Sequence, residues 1–191
     1  MQYQKEDVRN KIMVAGADEF LENGYRGGKI GSIAAAAGVP IGNLYRYFDG
    51  KEGLLDAIVS STYNLIPRYV AEIAAVSDLY GQSLGNLAAA LTRVITELLD
   101  RCGKELLILL DRCEGSKFDD FKLKLYALVN KYMNERLFRA ETKEDEVFCY
   151  VVSKAFLDML FDILRKGERD NYGNLINRLL VFCFYEAEKR S

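Results

Sequence analysis

The chain of 191 residues has no histidine. That absence excludes a Ser-His-Asp triad, histidine acid-base chemistry and the usual zinc and haem ligand sets. No glycine-rich phosphate loop is present either, because Gly27-Gly28 is not followed by a Lys-Ser/Thr pair. Catalytic residues, a metal and a cofactor are therefore not expected. The four cysteines, Cys102, Cys113, Cys149 and Cys183, lie far apart without a CxxC pair, so they read as small buried apolar residues and not as a redox pair. Prolines are scarce, only Pro40 and Pro67, and no low-complexity tract or run of like charge suggests a disordered segment beyond the first few residues. No stretch of about 18 uninterrupted apolar residues exists to span a bilayer. The start, MQYQKEDVRN, is too polar for a signal peptide, so a cytoplasmic protein without membrane contact is expected.

What is present is apolar surface and helical periodicity. Half of the residues are hydrophobic, enough for a sizeable core, and the net charge is -2. From Gly24 to Phe48 the sequence reads GYRGGKIGSIAAAAGVPIGNLYRYF, with Arg26, Lys29 and Arg46 but no Asp or Glu. A basic window on an acidic chain suits a site-selective DNA reader better than a non-specific coat. Ile33, Ala34 and Ala37 form one apolar face of a short helix, and Gly38 supplies the left-handed residue that ends it. Pro40 opens a second helix that turns Leu44 and Phe48 inward. Ala34 leaves room for the two to cross closely, with Val39 and Leu44 filling the gap.

The outer face of that second helix then presents Ile41, Gly42, Asn43, Tyr45, Arg46 and Tyr47. Arg46 and Lys51 suit phosphates, Tyr45 and Tyr47 offer hydroxyls, and Asn43 suits base edges in a major groove. The window resembles the N-terminal domain of tetracycline-repressor-type (TetR/AcrR) transcriptional regulators over roughly residues 6 to 66. The matching residues are Ile12, Ala15, Phe20, Gly24-Tyr25, Ile33-Ala34, Ala37-Gly38-Val39, Gly42, Leu44-Tyr45, Tyr47-Phe48, Lys51 and Leu54-Leu55. The resemblance implies an all-α fold of about nine helices. It divides the chain into a helix-turn-helix DNA-binding domain, 1–50, and a helical effector-binding and dimerisation domain, 51–191, joined by a long helix. The chain departs from the pattern at Gly28-Lys29, where the family commonly has Thr or Ser, and at Pro40-Ile41, where it usually has Ser and Lys. Lys29 can replace the lost phosphate contact electrostatically, and Ile41 suits a thymine methyl.

Periodicity places a first helix at 5–23 and a fourth from Lys51 to Ile66 that kinks at Pro67, since Tyr69, Val70, Ile73 and Ala74 continue its period. Pro67 then serves either as a hinge or only as a shaping residue. A loop is expected at 77–85, a helix capped by Asn86 to Arg101, a separate buried helix at 104–113, and another from Phe121 to Phe138. A capping box at Thr142-Lys143-Glu144-Asp145 opens a helix to Lys166, Gly167 stops it, and Asn171 opens the last, to Lys189. Phe148, Val152, Met159 and Ile163 on the first of these, and Leu175, Leu179 and Phe182 on the second, belong to more apolar surface than one core needs. They are the candidate dimer interface. The resemblance implies that the last two helices pair across a homodimer.

The expected function is a ligand-responsive regulator that binds a palindromic double-stranded DNA operator, most often as a repressor, and is released by a small molecule. Candidate effector contacts are Tyr63, Arg93, Glu97, Asp111, Arg112, Tyr126, Tyr132 and Phe156, placed between the fourth and eighth helices. An all-helical protein-interaction adaptor, or a small-molecule-binding protein without DNA binding, is the alternative. An enzyme is not supported, for want of any nucleophile-base pair.

Overall fold

The computed structural model describes residues 2–79, 84–135 and 140–188. These residues form α1 (Gln2–Gly27), α2 (Ile30–Ala36), α3 (Ile41–Tyr47), α4 (Gly50–Leu79), α5 (Leu84–Asp111), α6 (Phe121–Met133), α7 (Lys143–Lys166) and α8 (Tyr172–Glu188). A 3-10 turn at Arg169–Asn171 leads into α8. The architecture is all-α as expected, with eight α-helices among the described residues in place of about nine. No helix among them is long and apolar enough to cross a membrane.

The lost helix is the one expected at 104–113. Gly103 does not break the chain there, and α5 runs on to Asp111. Two causes are visible. Leu98, Leu99, Cys102, Leu106 and Leu109 keep one buried face at helical spacing across the glycine. The position also needs a small residue, because a Cβ on Gly103 would stand 3.2 Å from Leu164 Cδ1. Asn86 is consequently no cap, since α5 begins at Leu84. Of the expected loop, 77–79 continue α4, Leu84 and Gly85 belong to α5, and 80–83 lie outside the described residues. The 136–138 end of the helix expected to reach Phe138 also lies outside them, as does Lys189. Asn171 closes the 3-10 turn and α8 starts one residue later.

Two compact units result, one of residues 1–64 with 104–122, the other of 65–103 with 123–191. Packing thus divides the chain differently from a cut at residue 50, and α4, α5 and α6 all run through the division. In the first unit Ile12 and Phe20 of α1, Ile33 of α2, Leu44 of α3, and Leu54, Leu55 and Val59 of α4 are buried together with Ile108 and Leu109. α1 breaks at Gly24 (φ 68°, ψ 170°), and the Tyr25 amide, released from the helix ladder, donates to Arg112 O at 2.7 Å.

In the second unit the expected residues Leu87, Leu91, Val94, Ile95 and Leu98 point α5 inward. Thr142 and Asp145 form the expected capping box, Thr142 Oγ1 accepting from Asp145 N at 3.1 Å and Asp145 accepting from Thr142 N at 3.0 Å. Those bonds hold the Asp145 carboxyl below its ordinary range, the Thr142 side-chain bond first. Gly167 ends α7, and Tyr172 Oη reaches back to Leu164 O at 3.1 Å. Cys102, Cys113 and Cys149 are buried and Cys183 half-buried, all unpaired. Burial pushes the Cys113 thiol up to about 11 and raises Cys149 and Cys183 as well, so these thiols stay protonated and inert near neutrality.

Two glycines separate backbone conformation from space. A Cβ on Gly31, inside α2, or on Gly38, just after it, would meet nothing within 4 Å, but only Gly38 has a positive φ, 68°. Gly31→Ala is therefore expected to stabilise the chain by about 0.5–1 kcal/mol and Gly38→Ala to destabilise it by about 1 kcal/mol. Urea unfolding of the two variants beside the parent checks the opposite signs.

Candidate nucleic-acid interface

The turn between α2 and α3 is built by hydrogen bonds that leave no slack. Gly38 N donates to Ala35 O at 3.1 Å and Val39 N to Ala34 O at 3.0 Å, the paired bonds of a Schellman termination. Pro40 is the N-cap of α3 and not its first helical residue, with φ -59° and ψ 141°, and its carbonyl accepts from Asn43 N at 2.9 Å. The crossing is close because Ala34 is buried, and Ile33, Leu44 and Phe48 close the interior beneath it. Ala37 and Val39 are only half-buried at the turn.

With Leu44 and Phe48 committed inward, the rest of α3 must face out. Ile41 is 51% exposed and Tyr45 59% exposed, one helical turn apart. Gly42 and Arg46 are exposed beside them, while Asn43 and Tyr47 sit half-buried on the flank of the ridge. Arg9 lies over the Phe48 ring at 5.3 Å, adding a second cation near the end of α3. The ridge and its flank therefore combine one apolar side chain, two phenols, an amide and a guanidinium, groups that suit phosphates and base edges together.

The junction before α2 is held by charge. α2 has no side-chain cap from Lys29, and Glu19 of α1 supplies one: its Oε1 accepts from Lys29 N at 3.0 Å. Lys51, at the start of α4, donates to Gly28 O at 3.1 Å and Arg26 O at 3.3 Å, and its ammonium lies 4.7 Å above the Tyr25 ring. The Tyr25 hydroxyl is pushed up to about 12 by burial and by its hydrogen bond to the Glu52 carboxylate. Glu52 Oε1 also accepts from Lys117 N at 3.2 Å, and Lys117 Nζ pairs with Asp56 at 2.6 Å. Arg26 pairs with Glu114 at 2.5 Å and Lys104 with Asp18 at 2.5 Å, so the 104–122 segment is tied along α1 and α4. Glu19, Glu52 and Lys117 were not among the expected site residues. Their partners lie between 10 and 65 residues away, beyond any local spacing rule.

The candidate effector residues do not form one cluster. Tyr63 stacks against Phe118 and Phe121, with centroids 5.3 and 5.6 Å away, and Asp111 and Arg112 lie in the same unit. In the other unit Tyr126 is buried with its hydroxyl on Asp158, and Tyr132 and Phe156 are half-buried. Arg93 and Glu97 share an open depression along α5 with Thr92, Thr96 and Asp100. The Thr96 hydroxyl there is buried without a partner.

On α7 the inward positions are Cys149, Ser153, Leu157, Phe161 and Leu164, and on α8 Tyr172, Ile176 and Leu180. The candidate interface residues lie beside that face. Phe148 and Met159 are exposed, Phe182 is 75% exposed, and Val152, Ile163, Leu175 and Leu179 are half-buried. The stripe expected partly as core is therefore surface, and Val147, Val151 and Val181 enlarge it.

An all-α chain with a tight two-helix crossing and an outward polar-aromatic helix defines a helix-turn-helix protein. Residues 12–58 match the family described as "Bacterial regulatory proteins, tetR family". The HTH-type transcriptional repressor DhaR of Mycobacterium sp. (strain GP1) is 32% identical over 115 residues, covering 48% of this chain and 58% of that relative's length. A TetR-family transcriptional regulator from Bordetella parapertussis 12822 superposes with TM-score 0.69 at 19% identity, over 92% of this chain and 93% of the other. NalD, the secondary repressor of the MexAB-OprM multidrug efflux pump in Pseudomonas aeruginosa, has TM-score 0.54 at 21% identity, over 93% and 95%. The N-terminal module is thus similar to that of the tetR family over residues 12–58, and the chain shares the fold of solved regulators of that family.

The Tyr25 site generates a pH prediction. Its folded value lies above the ordinary 10.0, so its contribution to stability is complete below pH 10 and is lost as pH rises toward about 12. Unfolding midpoints of the parent should fall more steeply over that interval than those of Tyr25→Phe, and parallel curves would remove the linkage.

Proposed function

We propose that the protein is a homodimeric, ligand-responsive repressor that reads a palindromic operator with α3, in the cytoplasm. The carrying observation is the exposed ridge Ile41, Gly42, Tyr45 and Arg46 raised over buried Leu44 and Phe48. Asn43 and Ile41 are assigned to bases, and Tyr45, Tyr47, Arg46 and Lys29 to the backbone, with Gly42 and Pro40 allowing close approach. The exposed apolar face of α7 and α8 supports self-association, and two copies of α3 would need to stand about 34–36 Å apart to enter successive major grooves.

The region from residue 51 onward is assigned to effector binding. Arg93 and Glu97, which line the open depression along α5, are assigned as its contacts. α4 and α5 connect the two units covalently, and Pro67 lies three residues past the 64/65 division. A ligand releases DNA only to the extent that it binds the two states of the dimer differently.

Selection of bound sequences from random duplex is expected to yield an inverted repeat. Asn43→Ala should change the preferred base, whereas Tyr45→Ala should weaken selected and unrelated duplexes alike; an unchanged preference for Asn43→Ala would remove its base-reading role. Sedimentation is expected to show a dimer that Phe182→Glu dissociates at micromolar concentration. A monomeric parent would refute the assembly.

A further inference from the structure

We propose that Lys51 is a positioning residue that closes the α1–α2 junction, and that it does not bind a DNA phosphate. The inference rests on the DNA-reading assignment of α3 and revises the phosphate role expected for this lysine from sequence. A helix end leaves carbonyls without partners. Here α1 ends around the Gly24 break, and the carbonyls of Arg26 and Gly28 both point at one ammonium, 3.3 and 3.1 Å away. An ammonium has three N–H donors. Two are used on these carbonyls and the Tyr25 ring lies 4.7 Å from the same nitrogen, so its donors are turned into the protein.

The surroundings make this a built arrangement. Gly28 is buried, and a Cβ there would stand 3.0 Å from both Gly24 O and Phe20 Cδ1, so the strand of backbone presented to Lys51 is fixed from behind. The next residue, Lys29, is fixed from the opposite sign of charge, its amide bound by Glu19. One lysine thus orders the end of α1 and one glutamate the start of α2. Together they set the angle at which α2, and through the Ala34 crossing α3, leaves α1. Arg46, exposed on the ridge, is the contrasting cation.

Salt dependence separates the roles. Each phosphate neutralised contributes about -0.9 to the slope of log Kobs against log salt concentration. Affinity of the full chain for its selected duplex is measured from low to moderate salt, at a temperature where every variant remains folded by circular dichroism. Arg46→Met is expected to make the slope shallower by about 0.9 per subunit while leaving the unfolding midpoint unchanged. Lys51→Met is expected to lower affinity about ten-fold with the parent's slope, and to lower the midpoint without DNA present. Lys51→Gln, which keeps N–H donors but no charge, should recover part of that affinity, and it serves if the methionine variant does not fold. A slope reduced by about 0.9 per subunit in either Lys51 variant, or an unaltered DNA-free midpoint, overturns the proposal. A parent that binds no duplex refutes the DNA-reading assignment instead, and the midpoint still decides whether Lys51 holds the junction.

Discussion

The close crossing of α2 and α3 is the constraint on which the rest of the molecule depends. Three residues determine it. Ala34 lets the helices approach, Gly38 reverses the chain in the left-handed region that other residues enter only at a cost of about 1–2 kcal/mol, and Leu44 closes the interior. Once those are in place, a helix as short as the seven residues of α3 has no freedom left about its axis. Every turn that buries Leu44 and Phe48 exposes Ile41 and Tyr45. The chemistry of the outer face is therefore a consequence of packing on the inner one.

Short helices are not stable by themselves, and α2 and α3 obtain their order from their neighbours. α1 and α4 provide the apolar floor, while charged side chains close the polar ends that the floor cannot satisfy. The 104–122 segment adds a further wall to this unit. Its ion pairs to Asp18, Arg26 and Asp56 are largely exposed, and pairs of that kind contribute about 0–1 kcal/mol each. The bonds between Tyr25 N and Arg112 O, and between Lys117 N and Glu52, involve main-chain groups and fix position more strictly than long side chains do.

What could be read from residues alone follows the range of the interaction. The α2–α3 turn, the capping box at Thr142 and the stop at Gly167 are encoded within a few neighbours, and each was legible. The break expected before Lys104 is absent because Gly103 stays within α5. This glycine is small for the sake of Leu164, which lies 61 positions away in sequence. That α7 turns Cys149, Ser153, Leu157, Phe161 and Leu164 inward was not legible for a related reason. An apolar stripe wide enough for two partners does not reveal which edge its own chain covers. The same limit hid Glu19 and Glu52, whose roles depend on distant amides. A lysine at a helix start has the same local sequence whether its ammonium faces solvent or two carbonyls.

The division of the chain also bears on how one end could influence the other. Three helices pass from one unit to the other, α4 at 64/65, α5 at 103/104 and α6 at 122/123. Pro67 lies just beyond the first point and Gly103 stands at the second, the two residue types least able to stiffen a helix. On the first unit's side of those points each helix is part of that unit's wall: α4 contributes Lys51 and Glu52, and α5 leads to Arg112 O and the 113–120 turn. A displacement of α4 or α5 would therefore act first on the α1–α2 junction, where Tyr25, Lys51 and Glu52 meet, and not on the exposed side chains of α3. Because α3 is locked to α2 by the Ala34 crossing, tilting that junction reorients the ridge as a body and leaves its composition unchanged.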